Sequence, residues 1–463
     1  MHYLYEERLF PAEEKTREIA QAIYDSIKDL PVISPHGHTD PAWYAENINF
    51  RDPAELFIIP DHYLVRMLCS QGYTHADLGV STLDGTPYEK DPRKIWNIFA
   101  RNYHLFLGTP TRMWLDYIFS EIFKIEEELD EGTADTCYDI IEEKLKTEEF
   151  RIRNLYKRFN IETISTTDEA NSLLRHHRKI RNEWDGRVLP CFRPDSVTDP
   201  LHESFVSEVN RLCGGNPAYR HYIDALQERR LFFKEMGAVS TDHGCLEAYT
   251  VEVSGERMQK LLDKAMNGNI DKNEAREFQG HMLMEMARMS MEDGLVMQIH
   301  PGVYRNHSSL IFNRYGRDRG VDIPVKTEYV KALRPLLERY GHERNLKIIL
   351  FTLDDTRYTR ELAPLAGYYP VLRLGPAWWF NDGPDGMRRF REAVTETAGF
   401  YNTVGFNDDT RAFLSIPARH DMARRIDASY LARLVAEHRL SMNQAVKLAR
   451  DLTYNIPKES YNL

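Results

Sequence analysis

The stretch ISPHGHTD at residues 33–40 sets an apolar run directly before two histidines that stand one residue apart. In a β-strand, side chains at positions i and i+2 point to the same face, about 6.5 to 7 Å apart along the chain. His36 and His38 placed in this way can bind one metal ion together. The competing interpretation is a pair of solvent-facing loop histidines, because 17 histidines in 463 residues yield roughly half of one such pair by chance.

Seven further short runs rich in β-branched or aliphatic residues follow along the chain, and most of them end in polar residues. With the run at 32–38, they lie at 162–168, 188–195, 238–244, 295–302, 347–355, 370–375 and 403–411. Helix-like segments separate many of these runs, and strands that alternate with helices indicate a parallel sheet. Eight such units predict a closed (β/α)8 TIM barrel, whose active site lies at the C-terminal ends of the strands. The alternative is a doubly wound open sheet, but neither G-x-G-x-x-G nor a P-loop follows any run.

The chain departs from this alternation in two places. Residues 42–158 predict a mostly helical insertion after strand 1 that covers the barrel mouth, and residues 428–456 predict two packed helices stopped by Pro457. Segment 325–341 predicts a helix that ends at Gly341 and is kinked or broken at Pro335. Neither a repeat nor a low-complexity linker marks a second domain, so we expect a single domain over 1–463.

The composition of the chain argues against some classes of binding partner. The formal net charge of -11 argues against nucleic-acid binding, which depends on clustered Lys and Arg. No apolar run approaches the roughly 18 residues that a membrane-spanning helix needs. The five cysteines are scattered and never form a C-x-x-C pair, which favours free thiols in a reducing, cytoplasmic compartment. Whether the chain forms a homo-oligomer stays open.

The strand ends carry a dense set of residues suited to metal binding and proton transfer. In strand order they are His36, His38, Thr167, Asp168, Arg193, Asp195, Asp242, His243, His300, Trp378, Trp379, Asp408, Asp409 and Arg411. Strand 8 pairs with strand 1 when a barrel closes, so an aspartate from FNDDTR should join the two histidines. Nitrogen ligands with one carboxylate suit a catalytic Zn²⁺. His300 is either a third ligand or polar group beside the metal, or a core histidine, and Asp242 with His243 could form a supporting or acid/base pair.

These motifs resemble the amidohydrolase superfamily and, more narrowly, the uronate isomerase (glucuronate isomerase) family. The matching stretches are HGH at 36–38, DHYLVR at 61–66, FRPD at 192–195, STDHG at 240–244, MQIHPG at 297–302, WWFND at 378–382 and DDTR at 408–411. The resemblance implies a TIM barrel of amidohydrolase type that interconverts D-glucuronate with D-fructuronate and D-galacturonate with D-tagaturonate. Gly37 and Thr410 depart from the expected pattern, but neither is a proposed ligand.

The resemblance also implies roles for individual residues. One divalent metal ion, expected to be Zn²⁺, would be held by His36, His38 and Asp409. The residues that would shape the hexuronate site are His62, Tyr63, Arg193, His300, Trp378 and Arg411. From spacing alone, His62 and Tyr63 would be surface residues of an amphipathic helix, and only the resemblance assigns them to the site.

An aldose–ketose isomerisation moves a proton from C2 to C1 through an enediol, so it needs a base, an acid and a group that stabilises the oxyanion. Asp409 or Tyr63 could carry the proton, and the metal or Arg411 could stabilise the oxyanion. We expect the catalytic set to comprise Asp409, Tyr63, His62 and Arg411. Arg193 is expected to bind the substrate carboxylate through a forked pair of hydrogen bonds, which the acidic overall charge makes necessary.

Two other functions fit parts of the pattern. A mononuclear metal-dependent hydrolase would use the same ligands, whereas a binuclear one is disfavoured because strand 4 ends without a lysine to bridge two metals. A non-catalytic sugar-acid binding protein would keep Arg193 and the tryptophans. It would not need His36, His38 and Asp409 together.

Overall fold

The computed structural model describes residues 4–215 and 217–463. The strands are β1 Val32–Ser34, β2 Ile161–Ser165, β3 Asp168–Glu169, β4 Arg187–Leu189, β5 Phe192–Arg193, β6 Ser240–Cys245, β7 Val296–Pro301, β8 Val303–Tyr304, β9 Ile323–Pro324, β10 Ile348–Leu350 and β11 Leu372–Leu374. Nine of them pair in parallel in the orders β1–β2–β4 and β3–β5–β6–β7–β10–β11, while β8 and β9 form a separate antiparallel pair. The parallel strands are the wall of a TIM-type barrel, as the sequence predicted.

The second and third barrel strands are each broken into two pieces. Strand β3 continues β2, and β5 continues β4, with Pro190 in the second gap. Proline cannot donate to a ladder, so it falls where the pairing is interrupted. Backbone hydrogen bonds from Thr166 to Leu189 and from Asp168 to Cys191, both 2.9 Å, keep the two strands together across the gaps.

The eighth predicted strand is reduced to a single parallel bridge between Leu374 and Thr403. Gly405 follows with a φ of +80°, and a Cβ there would lie 2.5 Å from the Leu452 carbonyl oxygen. The left-handed turn and this close approach explain why the run does not continue as a regular strand. The ring is closed instead by a hydrogen bond of 3.0 Å from the His38 amide to the Thr410 carbonyl.

A helical insertion after β1 is present, as the sequence predicted. Its α-helices are Pro41–Glu46, His62–Ser70, Pro92–Arg101, Pro110–Tyr117, Ala134–Leu145 and Ile152–Arg158. Their apolar faces share one core with the first barrel strands, because Trp96 and Phe123 belong to the same buried cluster as Ile161 and Val188. The insertion is therefore packed onto the barrel and adds a wall beside its mouth.

The remaining helices surround the barrel. They are Glu14–Asp25, Arg175–Glu183, Asp195–Thr198, Phe205–Cys213, Tyr219–Glu235, Gly255–Met266, Lys272–Asp293, Ser309–Tyr315, Arg334–Tyr340, Ala363–Ala366, Pro384–Ala398, Ile416–Ala436, Met442–Arg450 and Ile456–Ser460. Among the described residues, none of the helices is both long enough and apolar enough to cross a membrane. All five cysteines are free thiols.

Three helix boundaries differ from the sequence prediction, and a proline explains each. The helix predicted over 325–341 begins only at Arg334, with Pro335 in its first turn. The first C-terminal helix begins at Ile416, ahead of the predicted 428, with Pro417 in its first turn. Pro457 starts the short helix Ile456–Ser460 where a stop was predicted. Proline fits the first helical turn because its missing N–H would have no partner there.

Candidate active site

His36, His38 and Asp409 meet where the end of β1 lies beside residues 408–411. Asp409 Oδ1 lies 3.4 Å from His36 Nε2 and 3.0 Å from His38 Nε2. His36 is buried, whereas the His38 side chain is 28 % exposed. Two imidazole nitrogens therefore converge on one carboxylate oxygen, which is the arrangement that the sequence predicted for this edge of the barrel.

His300 joins this cluster from β7. Its ligand atom, together with those of His36 and Asp409, forms a group whose members all lie within 4.8 Å of one another. His300 Nδ1 contacts Asp242 Oδ1 at 2.6 Å, while its Nε2 is buried and has no hydrogen-bond partner among the described residues. A carboxylate behind a histidine whose other nitrogen is free is the usual support of a metal-binding histidine. The donor set therefore fits a divalent metal ion, and His300 is placed as a further ligand candidate.

Asp409 has an unusual backbone conformation, with a φ of +41°. Aspartate tolerates the left-handed region better than most residues, but the conformation still costs free energy and is typical of functional positions. The preceding Asp408 points elsewhere, and its Oδ2 lies 3.0 Å from His420 Nε2. Only the second aspartate of FNDDTR therefore faces the histidines.

Charged groups around the cluster oppose the effect of burial on the pKa values of two carboxylates. Burial by itself would raise the pKa of Asp409, but His36 and His38 outweigh it and hold that pKa well below its ordinary value. Asp242 behaves in the same way, because Arg193 and His300 overcome its burial. Both carboxylates are therefore ionised at neutral pH and give the floor of the site negative charge.

Arg193 lines the same cavity and is held by two carboxylates. Its Nε donates to Asp195 Oδ2 at 2.7 Å, and its Nη1 lies 3.1 Å from Asp242 Oδ2. A Cβ at Gly244 would lie 2.6 Å from Asp195 Oδ2 and 2.8 Å from Arg193 Nη2, so only glycine lets β6 pass so near. The guanidinium orientation is thus fixed before any ligand binds.

Asp242 and His243 do not form a pair, which corrects the sequence prediction. Neighbouring side chains of a strand point to opposite faces, and His243 instead contacts Thr241 Oγ1 at 2.9 Å. Burial lowers the pKa of His243 to about 3, so it is neutral. Asp242 serves His300 and Arg193 from the other face of β6.

His62 and Tyr63 reach the cavity from the insertion. Asp61 caps the helix His62–Ser70 and accepts hydrogen bonds from the Tyr63 and Leu64 amides at 2.8 and 3.1 Å. Burial, followed by the charge of Arg411, lowers the pKa of His62 to about 3. His62 is therefore a neutral hydrogen-bonding group at the cavity wall.

Further aromatic and charged groups line the same cavity. Trp378 packs edge-on against His300 with ring centroids 4.7 Å apart, and Trp379 packs 5.0 Å from His62. Arg411 lies 3.4 Å from Asp318, a residue that the sequence analysis did not single out. Asp382 and Arg419 also line the cavity and were missed, although Asp382 ends the unusual WWFND motif.

These residues surround one cavity of about 430 Å³. The predicted site residues that line it are His36, His38, His62, Tyr63, Arg193, His300, Trp378, Asp409 and Arg411. Its volume lies in the range typical of small-molecule sites. Every residue to which the family resemblance gave a role in metal binding, substrate binding or catalysis therefore lines the same cavity.

Comparison with known proteins gives the family. The family model described as glucuronate isomerase matches residues 10–461. The chain belongs to the glucuronate isomerase family. A uronate isomerase of Mesorhizobium japonicum is 56% identical over 461 residues, covering 98% of each chain. The crystal structure of glucuronate isomerase from Caulobacter crescentus superposes with a TM-score of 0.97 at 51% identity, covering 100% of this chain and 97% of that one.

A more distant member of the family has the same fold. The uronate isomerase structure from Thermotoga maritima has a TM-score of 0.92 at 26% identity and covers 99% of both chains. The family assignment confirms the resemblance inferred from the motifs and the prediction of a uronate isomerase. It does not favour the hydrolase or the sugar-binding alternative.

Proposed function

We propose that this chain interconverts D-glucuronate with D-fructuronate and D-galacturonate with D-tagaturonate, by moving a proton from C2 to C1 through an enediol. The observation that carries the proposal is one cavity in which His36, His300 and Asp409 cluster beside Arg193 and Tyr63. An ester or amide hydrolase would also need a metal-binding cluster of this kind. The guanidinium of Arg193 and the hydroxyl of Tyr63 are additional groups, and they suit an anionic sugar.

We propose that His36, His38 and Asp409 hold Zn²⁺. We also propose that the protein acts in the cytoplasm. The free, buried Nε2 of His300 supports a ligand role for that residue too. A bound divalent ion would supply positive charge near the oxygens that become negative during the reaction. The remaining work falls to side chains of this chain.

Two arginines are proposed to bind the anionic and oxyanionic groups of the substrate. Arg193 is preoriented by Asp195 and Asp242, so little rotational freedom would be lost when its guanidinium meets a carboxylate. Within the part of the chain that the structure describes, Arg411 has one ion pair, with Asp318 at 3.4 Å, and its side chain is 37 % exposed, so it is available for the developing oxyanion. The neutral imidazole of His62 suits a hydrogen bond to a sugar hydroxyl.

Trp378 and His300 would shape the wall against which the carbon chain lies. Both are buried, and they contact each other edge to face. Such packing excludes water from the reacting carbons and limits exchange of the enediol with solvent. Asp409 and Tyr63 are the two candidates for carrying the C2 proton.

The direct test is to incubate purified protein of known metal content with D-glucuronate and, separately, with D-galacturonate. We expect the corresponding ketouronates to appear and the reaction to run in both directions. A folded, zinc-loaded sample that forms neither product would overturn the proposal. Turnover of an ester and amide panel by that same sample would support a hydrolase instead.

A further inference from the structure

The backbone of Asp409 needs support that regular strand pairing does not give it. Among the described residues, the run that carries Asp409 pairs with the barrel through one parallel bridge, between Leu374 and Thr403. Asp409 nevertheless keeps a left-handed φ of +41°, a conformation that persists only where the surrounding structure enforces it. Other contacts must therefore hold this segment.

Arg419 holds the peptide unit that precedes Asp409. Its Nη1 donates to the Asp408 carbonyl oxygen at 3.3 Å. That oxygen belongs to the planar unit joining Asp408 to Asp409, and φ of Asp409 describes how this unit is rotated relative to the rest of the residue. Arg419 is itself fixed, because it stacks over Trp114 at 3.5 Å from the ring centroid and its Nε donates to Ser415 Oγ at 3.2 Å.

The chain after Asp409 is fixed as well. The Thr410 carbonyl accepts from the His38 amide at 3.0 Å, and Thr410 Oγ1 accepts from the Ala412 amide at 3.0 Å. Asp409 thus lies between two anchored positions. Its own carboxylate is left to face the two histidines of the first strand.

His420 holds the side chain of Asp408. Its Nε2 donates to Asp408 Oδ2 at 3.0 Å, and both residues are buried. Asp408 Oδ1 is also buried and has no hydrogen-bond partner among the described residues, so this carboxylate depends on His420. Phe406 packs edge-on against the imidazole, with ring centroids 5.0 Å apart. Within the described chain, neither Asp408 nor His420 lines the cavity, so both act on the site through Asp409.

Arg419 and His420 are consecutive residues near the start of the helix Ile416–Ala436. One helix therefore holds both the carbonyl group and the carboxylate of Asp408. The first strand lies on the other side, since a Cβ at Gly37 would be 3.5 Å from Asp408 Oδ1. Asp408 is thus placed between this helix and the His-x-His motif.

We propose that His420 is a positioning residue of the metal site. By holding Asp408, it keeps Asp409 in the left-handed conformation that turns its carboxylate toward His36 and His38. Loss of the contact lets the backbone of Asp409 relax, so that the three ligands no longer converge. This inference rests on the zinc site of the proposed function and assigns that site a support outside the cavity.

The test measures zinc affinity without using activity. Zinc-loaded, full-length protein is titrated with a chromophoric zinc chelator to give the Kd. His420→Leu should raise the Kd for Zn²⁺ by about 10- to 100-fold, as is usual when a partner behind a metal ligand is lost. His420→Gln keeps an N–H donor at a similar reach and should stay within about threefold of wild type. At saturating zinc, KM of His420→Leu should change by less than about threefold, because His420 does not contact the substrate.

His281→Leu is the matched control for general loosening of the fold. His281 is also a buried histidine on a long helix, where its Nδ1 accepts from the Val253 amide at 3.1 Å and its Nε2 lies 3.0 Å from the Tyr219 hydroxyl. This variant should lower the melting temperature and leave the Kd for Zn²⁺ within about threefold of wild type. Comparable melting temperatures with different zinc affinities would support the positioning role of His420.

Two results would overturn that role. They are a Kd for His420→Leu within about threefold of wild type, or a Kd for His281→Leu raised as much as that of His420→Leu. If His420→Leu fails to fold, Asp408→Ser decides, because it removes the carboxylate and leaves the helix residue in place. An unchanged Kd in Asp408→Ser would contradict the proposal. Zinc-loaded wild type that forms no ketouronate would overturn the proposed isomerase function, whereas zinc affinities in the expected order would still support the role of His420.

Discussion

Two adjacent layers inside the barrel have similar polarity and different tasks. The upper layer comprises His36, Asp242, His300 and Asp409 and faces the cavity. The lower layer comprises Gln298, Asn407 and Tyr461, where Gln298 and Asn407 lie two residues before His300 and Asp409. The buried Tyr461 hydroxyl donates to Gln298 Oε1 at 2.9 Å and accepts from Asn407 Nδ2 at 2.8 Å. In such barrels, residues at the C-terminal face take part in catalysis and residues in the layers beneath it stabilise the fold. Two positions only two residues apart on one strand can therefore have different roles.

The largest expected effect comes from the upper layer. Asp409→Asn should lower turnover by on the order of 10³-fold, because it removes the charge that both histidines share. Circular dichroism and the melting temperature should stay close to wild type. Turnover near the wild-type rate in a folded sample would refute the role assigned to Asp409.

The second-largest effect is expected from metal removal, which should act on the upper layer. Dialysis against a chelator should lower turnover by about 100-fold, and Zn²⁺ should restore it. Zinc at 100 times its Kd should also stabilise the wild type by about 2.7 kcal/mol, seen as a higher melting temperature. Asp409→Asn should gain much less. Equal stabilisation of the two proteins would show that zinc binds elsewhere.

Arg193 tests how the substrate anion is recognised. Arg193→Lys keeps the charge and loses the forked geometry, so KM for glucuronate should rise by about tenfold with a smaller change in kcat. Steady-state kinetics with both uronates measure this. Because Asp195 and Asp242 hold the guanidinium, an unchanged KM would mean that Arg193 only neutralises those carboxylates.

The lower layer should respond in stability and leave catalysis alone. Tyr461→Phe removes one donor and one acceptor and leaves Gln298 and Asn407 short of a partner, which should cost about 1–3 kcal/mol in the free energy of unfolding. Turnover should stay within about twofold of wild type. Tyr368→Phe, whose side chain is 69% exposed, is the control and should change stability by less than about 0.5 kcal/mol. A large loss of turnover in Tyr461→Phe would erase the distinction between the layers.

The smallest expected effect is that of His62→Gln on the pH dependence of kcat/KM. Burial lowers its pKa to about 3, so the imidazole is neutral above that value and does not titrate between pH 5 and 9. His62→Gln should therefore keep every inflection of the wild-type profile of kcat/KM, whatever happens to its height. Loss of an inflection between pH 5 and 8 would show that His62 is charged during the reaction.

The sequence predicts the upper layer well because strands impose a regular geometry. His36, His38 and His300 follow apolar runs, so their direction and their end of the barrel follow from the strand period. Asp409 required barrel closure as a second step. The irregular turn around Gly405 could not be foreseen, because it depends on a close approach by the C-terminal helices.

Outside the strands, no regular spacing predicts which side chains point into the site. Spacing alone assigns Tyr63 to a helix surface, and only the family resemblance brought it into the site. Asp382 and Arg419 were missed because their place in the site depends on a loop and a helix meeting beside Tyr63, which no local pattern encodes. The lower layer was missed for the same reason, since Tyr461 reaches Gln298 from a distant segment of the chain.

The closing hydrogen bond between His38 and Thr410 has a consequence for how the protein matures. His36 and Asp409 come from opposite ends of the described chain, and contacts of such large sequence separation form slowly. A partly folded chain therefore has separate ligands and no assembled pocket for zinc. Metal uptake should follow barrel closure, and zinc binding during refolding should lag behind the gain of helical signal.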